Sequence, residues 1–268
     1  MNYNIKLVAI DVDGTLVTDD KRITENTIMA IRKALDKGVF VSIASGRPLS
    51  GLDRFREYFK EDALFITYNG GKVIKIDTNE VIFDKCMGSN EAKDVLNYDF
   101  KNKIPLFIWK NDELYTDEYN EHVEYYEIHS GVKAHVVSDF RGLFENITKI
   151  ILYDYHENLL KAKENLERIN QNVNYQFSLP VFLEIFNKEV SKGNALEMIG
   201  KYYHINREEI MAIGDNFNDL SMIEYAKVGI AMGNAPDEIK QKAFYVTKTN
   251  EEDGVAYAIN KFINNIGD

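Results

Sequence analysis

Between Ile5 and Ile10 the chain runs apolar with only Lys6 to break it. The segment is too short for a helix and shows no polar alternation, which makes it a strand buried on both faces, as strands are inside a parallel sheet. Such a sheet needs helices above and below, and the following residues supply them. Thr24 can cap a helix whose Ile28, Ile31 and Leu35 recur at spacings of three and four, and Gly38 stops it. Val39 to Ala44 is a second buried strand, Pro48 opens another helical stretch, and Leu64 to Thr67 is a third short strand. Strands alternating with helices imply crossover units and a parallel sheet. Lys72 to Ile76 and Val81 to Phe83, on either side of Asp77-Thr78-Asn79, predict a hairpin.

From about Asp84 to Glu184 the order changes. Helical segments near residues 90–101, 118–129 and 157–170 mix with strands at Leu106–Trp109, Lys149–Tyr153 and Val173–Phe177, and tyrosines are frequent. From Ser191 the alternation resumes: helix Asn194–Tyr203, strand Ile210–Ile213, helix Asp219–Tyr225, strand Val228–Ala231 and a last helix ending near Ile263. The 268 residues thus predict an α/β core in two segments, residues 1–83 and 186–268, interrupted by an inserted α+β lobe at 84–185.

Composition narrows the partners. With 32 basic and 43 acidic residues, the net charge of −11 repels nucleic-acid phosphates and anionic lipid headgroups over most of the surface, which argues against nucleic acid and membrane partners. The lone Cys86 cannot form an internal disulfide and has no zinc or redox signature around it. The amino-terminal apolar run is too short for a signal peptide, and no stretch approaches the roughly 20 apolar residues of a membrane helix, so a cytoplasmic location is expected. Oligomeric state is not legible.

The chemistry gathers at strand ends. Asp11-Val12-Asp13-Gly14-Thr15-Leu16 follows the first buried strand directly, at the edge where open parallel sheets bind ligands. Side chains alternate along extended backbone, so Asp11 and Asp13 can address one reacting centre. A second acidic loop, Gly214-Asp215-Asn216-Phe217-Asn218-Asp219, ends another apolar strand and opens a helix. As bland alternatives, the first loop is an ordinary acidic turn and the second merely caps a helix. Together, however, the gathered carboxylates repel one another unless a cation sits among them, and hard oxygen ligands beside a phosphate suit Mg²⁺. Ser45-Gly46-Arg47-Pro48 can offer a hydroxyl and an N–H to an anion at a helix amino end, and Lys192 lies where the lobe rejoins the sheet, placed to clamp a phosphate.

In this order the four pieces resemble the haloacid dehalogenase superfamily of phosphotransferases. The insert's position, Asn69-Gly70-Gly71, Val190-Ser191-Lys192-Gly193, Ala231-Met232-Gly233-Asn234-Ala235 and Asp253-Gly254-Val255 resemble its Cof-type branch, class IIB, over nearly the whole chain. Gly71 departs mildly, since many relatives carry Ala there. The resemblance implies a Rossmann-like parallel-sheet core with an inserted α+β cap that selects the substrate.

It further implies that Asp11 is the nucleophile and Asp13 the general acid and base. Mg²⁺ would be held by Asp11, the Asp13 backbone carbonyl and Asp215, with Asp219 in support. The Val12 backbone, Ser45, Gly46, Lys192 and Asn218 would cradle the phosphoryl oxygens, and Arg47, Asn69 and Glu184 are candidates for substrate contact. The expected activity is Mg²⁺-dependent hydrolysis of a small phosphorylated metabolite, a sugar phosphate or similar, through an aspartyl phosphate. A phosphomutase of hexose phosphates and a non-catalytic phosphate sensor stay open as alternatives.

Overall fold

The structure is a computed structural model that describes residues 3–102 and 104–264. In chain order its regular elements are β1 (Leu7–Ile10), α1 (Glu25–Asp36), β2 (Phe40–Ile43), β3 (Leu64–Thr67), β4 (Lys72–Lys75), β5 (Glu80–Asp84), α2 (Ser89–Asn102), β6 (Leu106–Lys110), β7 (Glu113–Thr116), α3 (Glu121–Ser130), β8 (Ala134–Val136), β9 (Ile147–Tyr153), α4 (His156–Ile169), β10 (Val173–Leu179) and β11 (Phe182–Asn187). They continue as α5 (Lys192–Tyr202), β12 (Ile210–Gly214), α6 (Leu220–Tyr225), β13 (Val228–Ala231), α7 (Asp237–Lys242), β14 (Tyr245–Val246) and α8 (Gly254–Ile259). The chain divides into two compact units, Met1–Asp84 with Ser191–Asp268, and Lys85–Val190.

The first unit is built on a parallel sheet of order β14-β13-β12-β1-β2. Because successive strand residues point to opposite faces, each strand feeds two cores. Val8, Ile10, Val41, Ile43, Met211 and Ile213 pack with Ile31 and Ala34 of α1 and Val255 and Ile259 of α8. Leu7, Ala9, Ile210 and Ala212 pack with Ala195, Leu196 and Ile199 of α5 and Met222 of α6. Double coverage explains why these strands read as unbroken apolar runs. Connections leave β1 towards β2 on one side and β12 towards β13 on the other, so a topological switch point lies where β1 meets β12.

Leu64–Thr67 departs from expectation. It pairs antiparallel with β4, and β4 with β5, in a separate three-stranded sheet, and meets the parallel sheet at β2 through a parallel Ala44–Ile66 bridge and a hydrogen bond from the Ser42 hydroxyl to the Leu64 carbonyl. The chain reverses within Tyr68-Asn69-Gly70, whose φ angles are 52°, 57° and 104°, and so short a connection can join only antiparallel strands. The anticipated break at residue 185 falls inside β11, which is paired on both sides by β10 and β9, and the second unit therefore runs on to Val190.

The second unit holds a sheet of order β10-β11-β9-β6-β7-β8, antiparallel except for β7 with β8. Of its strands, β7, β8 and β11 were not anticipated. On one face Ala92, Val95, Leu159 and Leu166 of α2 and α4 cover Leu106, Ile108, Ile150, Leu152, Leu183 and Ile185. On the alternate positions Phe107 stacks on Tyr126 of α3, 4.4 Å between ring centroids, and Trp109 Nε1 donates to the Tyr126 hydroxyl at 2.8 Å. Among the described residues no helix is long and apolar enough to cross a membrane.

Where α5 crosses α6 the backbones nearly touch. Gly193 N–H donates to Ser221 Oγ at 3.1 Å, and a Cβ at position 193 would lie 2.5 Å from the Ser221 carbonyl oxygen. Gly193→Ala would gain about 1 kcal/mol of helix propensity. Overpacking against backbone costs about 1–3 kcal/mol and more where neither chain can yield. We expect a net loss of roughly 1–2 kcal/mol, seen as a lower denaturant midpoint at unchanged slope.

Candidate active site

Asp11 and Asp215 each stand one residue beyond a strand, and those strands are neighbours in parallel register, Ile10 beside Ile213. The last rung of that ladder, Asp11 N–H to the Ile213 carbonyl at 2.9 Å, fixes the nucleophile candidate at the sheet edge. Asp219 reaches the same spot by a different route. It is wholly buried, and its Oδ2 accepts the N–H groups of Asp215 and Asn216, both at 3.0 Å, closing the loop after β12 on itself. One oxygen from each of Asp11, Asp215 and Asp219 lies within 4.8 Å of the others, a group that could hold a metal ion.

Lys192 is the built-in countercharge. As the first residue of α5, whose amino end Ser191 caps by accepting from Asn194 N–H at 3.1 Å, it has no solvent exposure. Its Nζ donates to Asp11 Oδ1 at 2.6 Å and to Asp219 Oδ1 at 2.5 Å. Burial alone would lower its pKa, yet the two carboxylates hold it above the ordinary lysine range. Lys192 does not fully compensate the acids. Burial, and then the charge of Asp219, push Asp11 well above the usual carboxylate range despite Lys192. Asp215 is pushed up to about 6 by burial and by Asp219, with the Thr15 hydroxyl opposing.

The loop after β1 is shaped to Asp215. Thr15 Oγ1 donates to Asp215 Oδ1 at 2.8 Å, and Gly14, at φ 82°, lies so close that a Cβ there would sit 2.5 Å from Asp215 Oδ2. The Gly14 carbonyl in turn accepts from Asn234 Nδ2 at 2.8 Å, and Asn234 Oδ1 accepts from Asn250 N–H at 3.1 Å. The sequence pattern assigns no role to Thr15, Asn234 or Asn250. Thr15 follows Asp-Gly and Asn234 stands in the Gly-Asn-Ala run, and those positions were the only signals.

On the other side of β1, the turn after β2 carries Ser45, Gly46 and Arg47. Ser45 N–H donates to the Ile66 carbonyl at 2.9 Å and its carbonyl accepts from Asn69 N–H at 2.9 Å. Asn69 Oδ1 lies 3.0 Å from where a Gly46 Cβ would stand, and the same oxygen accepts from Asn218 Nδ2 at 3.0 Å. Gly46, Asn69 and Asn218 therefore meet. Val12 is buried, its carbonyl accepting from Val17 N–H at 3.1 Å.

The Asp13 side chain stands outside the carboxylate cluster. Arg47 holds it through Nε to Oδ2 at 2.8 Å and Nη2 to Oδ1 at 2.7 Å, and Lys21 Nζ adds a contact to Oδ1 at 3.0 Å. Burial raises its pKa, but Arg47 and Lys21 outweigh that and hold it below the ordinary carboxylate range. The contact the structure gives Arg47 is thus Asp13. Glu184 lies in the middle of β11 in the second unit, not at a connection, and accepts from Lys149 Nζ at 2.9 Å, both side chains buried.

Comparison with known proteins identifies the family. Residues 8–259 match the family model of haloacid dehalogenase-like hydrolases. The 5-amino-6-(5-phospho-D-ribitylamino)uracil phosphatase YcsE of Bacillus subtilis is 34% identical over 264 residues, covering 98% of this chain and 97% of its own. Among solved structures, TM0651 of Thermotoga maritima superposes with a TM-score of 0.87 at 34% identity, over 96% of this chain and 97% of that one. The HAD subclass IIB sugar phosphatase BT4131 superposes with a TM-score of 0.80 at 27% identity, over 96% and 98%. The chain belongs to the haloacid dehalogenase-like hydrolases, and within them it is a phosphatase of the Cof-type, subclass IIB branch.

Removing Lys192 would leave two buried carboxylates without their cation. Breaking a buried ion pair from one side costs about 3–5 kcal/mol. Lys192→Met should lose stability on that scale near pH 7.5, and the loss should shrink towards pH 5 as the unpaired acids take up protons. Denaturant unfolding of both proteins at the two pH values checks this, and a pH-independent loss would contradict it.

Proposed function

We propose that this phosphatase hydrolyses small phosphorylated metabolites, with Mg²⁺, through an aspartyl phosphate on Asp11. The observation that carries the proposal is the buried Asp11–Lys192–Asp219 contact with Asp215 beside it. Three carboxylates against one ammonium leave two negative charges in a largely dry site, which a divalent cation would neutralise. The donors are hard oxygens, as Mg²⁺ prefers. Asp11, Asp215 and the Asp13 backbone carbonyl would hold it, with Asp219 in support. When bound, Mg²⁺ supplies positive charge to the transferring phosphoryl group and keeps the acids ionised.

The chain's own residues then divide the work. An oxygen of Asp11 forms a bond to phosphorus as the bond from phosphorus to the leaving oxygen breaks. The electron pair stays on the leaving oxygen, which takes a proton from Asp13. In the second half Asp13 takes a proton from water, whose oxygen bonds to phosphorus, and the electron pair of the phosphorus–Asp11 bond returns to Asp11. Ser45, Gly46, Val12, Lys192 and Asn218 position the phosphoryl oxygens, and positioning with charge stabilisation is most of what phosphoryl transfer requires.

The substrate reading follows from charge and kinship. A surface of net −11 disfavours extended polyanions but not a single phosphate met by a local cation. The named relatives act on a phosphoribitylamino compound and on sugar phosphates, both phosphoesters on polyhydroxylated carbon chains. We assign the unit Lys85–Val190 the role of substrate-selecting cap and place the enzyme in the cytoplasm.

Asp11→Asn should abolish Mg²⁺-dependent phosphate release from p-nitrophenyl phosphate, and full activity in the pure variant would remove Asp11 from the nucleophile's place. A second expectation concerns pH. Asp215 has an ordinary value of 3.8 and sits at about 6 in the folded, metal-free protein, so its contribution favours folding at low pH and is lost as pH rises through 6. Mg²⁺ takes the place of that proton. Its stabilisation, read as the rise in Tm on adding Mg²⁺, should be larger at pH 7.5 than at pH 5 by roughly 5 °C. An equal rise at both pH values would contradict a metal bound through Asp215.

A further inference from the structure

The fork between Arg47 and Asp13 is built more carefully than a surface ion pair requires. Arg47 N–H donates to Ser45 Oγ at 3.2 Å, and the Arg47 carbonyl accepts from Tyr68 N–H at 3.1 Å, so its backbone is pinned into the turn that carries Ser45 and Gly46. From there the guanidinium meets both Asp13 oxygens in parallel, an arrangement that fixes the direction and rotation of a carboxylate as a point charge cannot. Lys21 adds its contact to Oδ1 from a left-handed residue, φ 63°, whose N–H donates to the Thr18 carbonyl at 2.8 Å. Asp13 is thereby tied both to the loop after β1 and to the turn after β2.

Left alone, this side chain would wander. It is 42% exposed and precedes a glycine, whereas proton transfer needs an approach of about 2.6–3.2 Å. We propose that Arg47 is a positioning residue for Asp13 rather than a substrate ligand, with Lys21 as its second point of attachment, an inference that rests on the phosphatase reading above. The clamp also distinguishes the two oxygens. Oδ1 receives Arg47 Nη2 and Lys21 Nζ, while Oδ2 receives Arg47 Nε alone, which leaves Oδ2 as the atom with room to exchange a proton with the leaving group or with water.

Exposed ion pairs add little to stability, so the variants should stay folded, and the effect belongs to turnover. In a double-mutant cycle with p-nitrophenyl phosphate and Mg²⁺, Arg47→Ala should lower kcat about 10- to 100-fold with little change in KM, and Arg47→Lys should recover part of it. In an Asp13→Ala background the same Arg47→Ala change should cost less than about twofold, because it acts through a group already removed. Arg47→Ala should also lose more on a hexose phosphate, whose alcohol leaves poorly, than on p-nitrophenyl phosphate, whose phenol leaves readily. Additive losses in the two backgrounds, a loss confined to KM, or equal losses on both substrates in an active enzyme would overturn the assignment of Arg47 alone. Absence of any Mg²⁺-dependent turnover by the unaltered enzyme would overturn the phosphatase mechanism and this inference with it.

Discussion

Everything at the sheet edge depends on an ammonium group buried between two carboxylates. Lys192 contacts Asp11 and Asp219 with no exposure to water, so the cost of burying three charges is offset only while all three keep their geometry. Asp219 is additionally held by two backbone N–H groups of its own loop, and Lys192 by its place in the first turn of α5. Asp219 is thus held by backbone, and Asp11 is held by Lys192 and by the ladder bond to Ile213. Rigidity is useful here because a nucleophile displaced by an ångström loses much of its advantage.

Around that triad the site is organised by how much water each group sees. Asp11 and Asp219 are dry, Asp215 is half-buried, and Asp13 stands towards solvent between two cations. The pKa values separate accordingly, with Asp11 and Asp215 raised by burial and by the charge of Asp219, and Asp13 lowered by Arg47 and Lys21 against the effect of its burial. The shifts of Asp11 and Asp215 thus run opposite to that of Asp13, and a split of this kind is what separates a nucleophile and cation site from an acid–base group.

Much of this was legible along the chain, and what was not has a common cause. The strands β1, β2, β12 and β13 declare themselves because burial on both faces demands unbroken apolar runs, Asp11, Asp13 and Asp215 stand out in the loops that follow two of those runs, and Lys192 stands out where the inserted lobe rejoins the sheet. The contacts of Arg47 with Asp13, of Asn234 with Gly14 and of Thr15 with Asp215 join positions 34, 220 and 200 residues apart, and no local pattern encodes such pairings. The antiparallel return of β3 turns on three left-handed residues at Tyr68-Asn69-Gly70, of which only the glycine advertises itself. In the second unit Glu184 interrupts the apolar run of β11 and so hides the strand, and that interruption is satisfied across the sheet by Lys149.

The split of the core has a mechanistic consequence. Leu7–Ile10 pairs with Ile210–Ile213, so the centre of the parallel sheet cannot form until residues on both sides of the insert are brought together. Closing so long a loop is an entropic cost met before the contacts that repay it, and non-local parallel pairing of this kind is intrinsically slow. The site is divided along the same seam, with Asp11, Asp13, Ser45 and Arg47 from the first segment and Lys192, Asp215, Asn218 and Asp219 from the second. The first segment holds the Asp13–Arg47–Lys21 group within itself, but not the cation of Asp11. Lys192 finds one carboxylate, Asp219, within its own segment and the other, Asp11, only across the seam. The Asp11–Lys192 pair and the β1–β12 ladder therefore share one requirement, that the two segments meet.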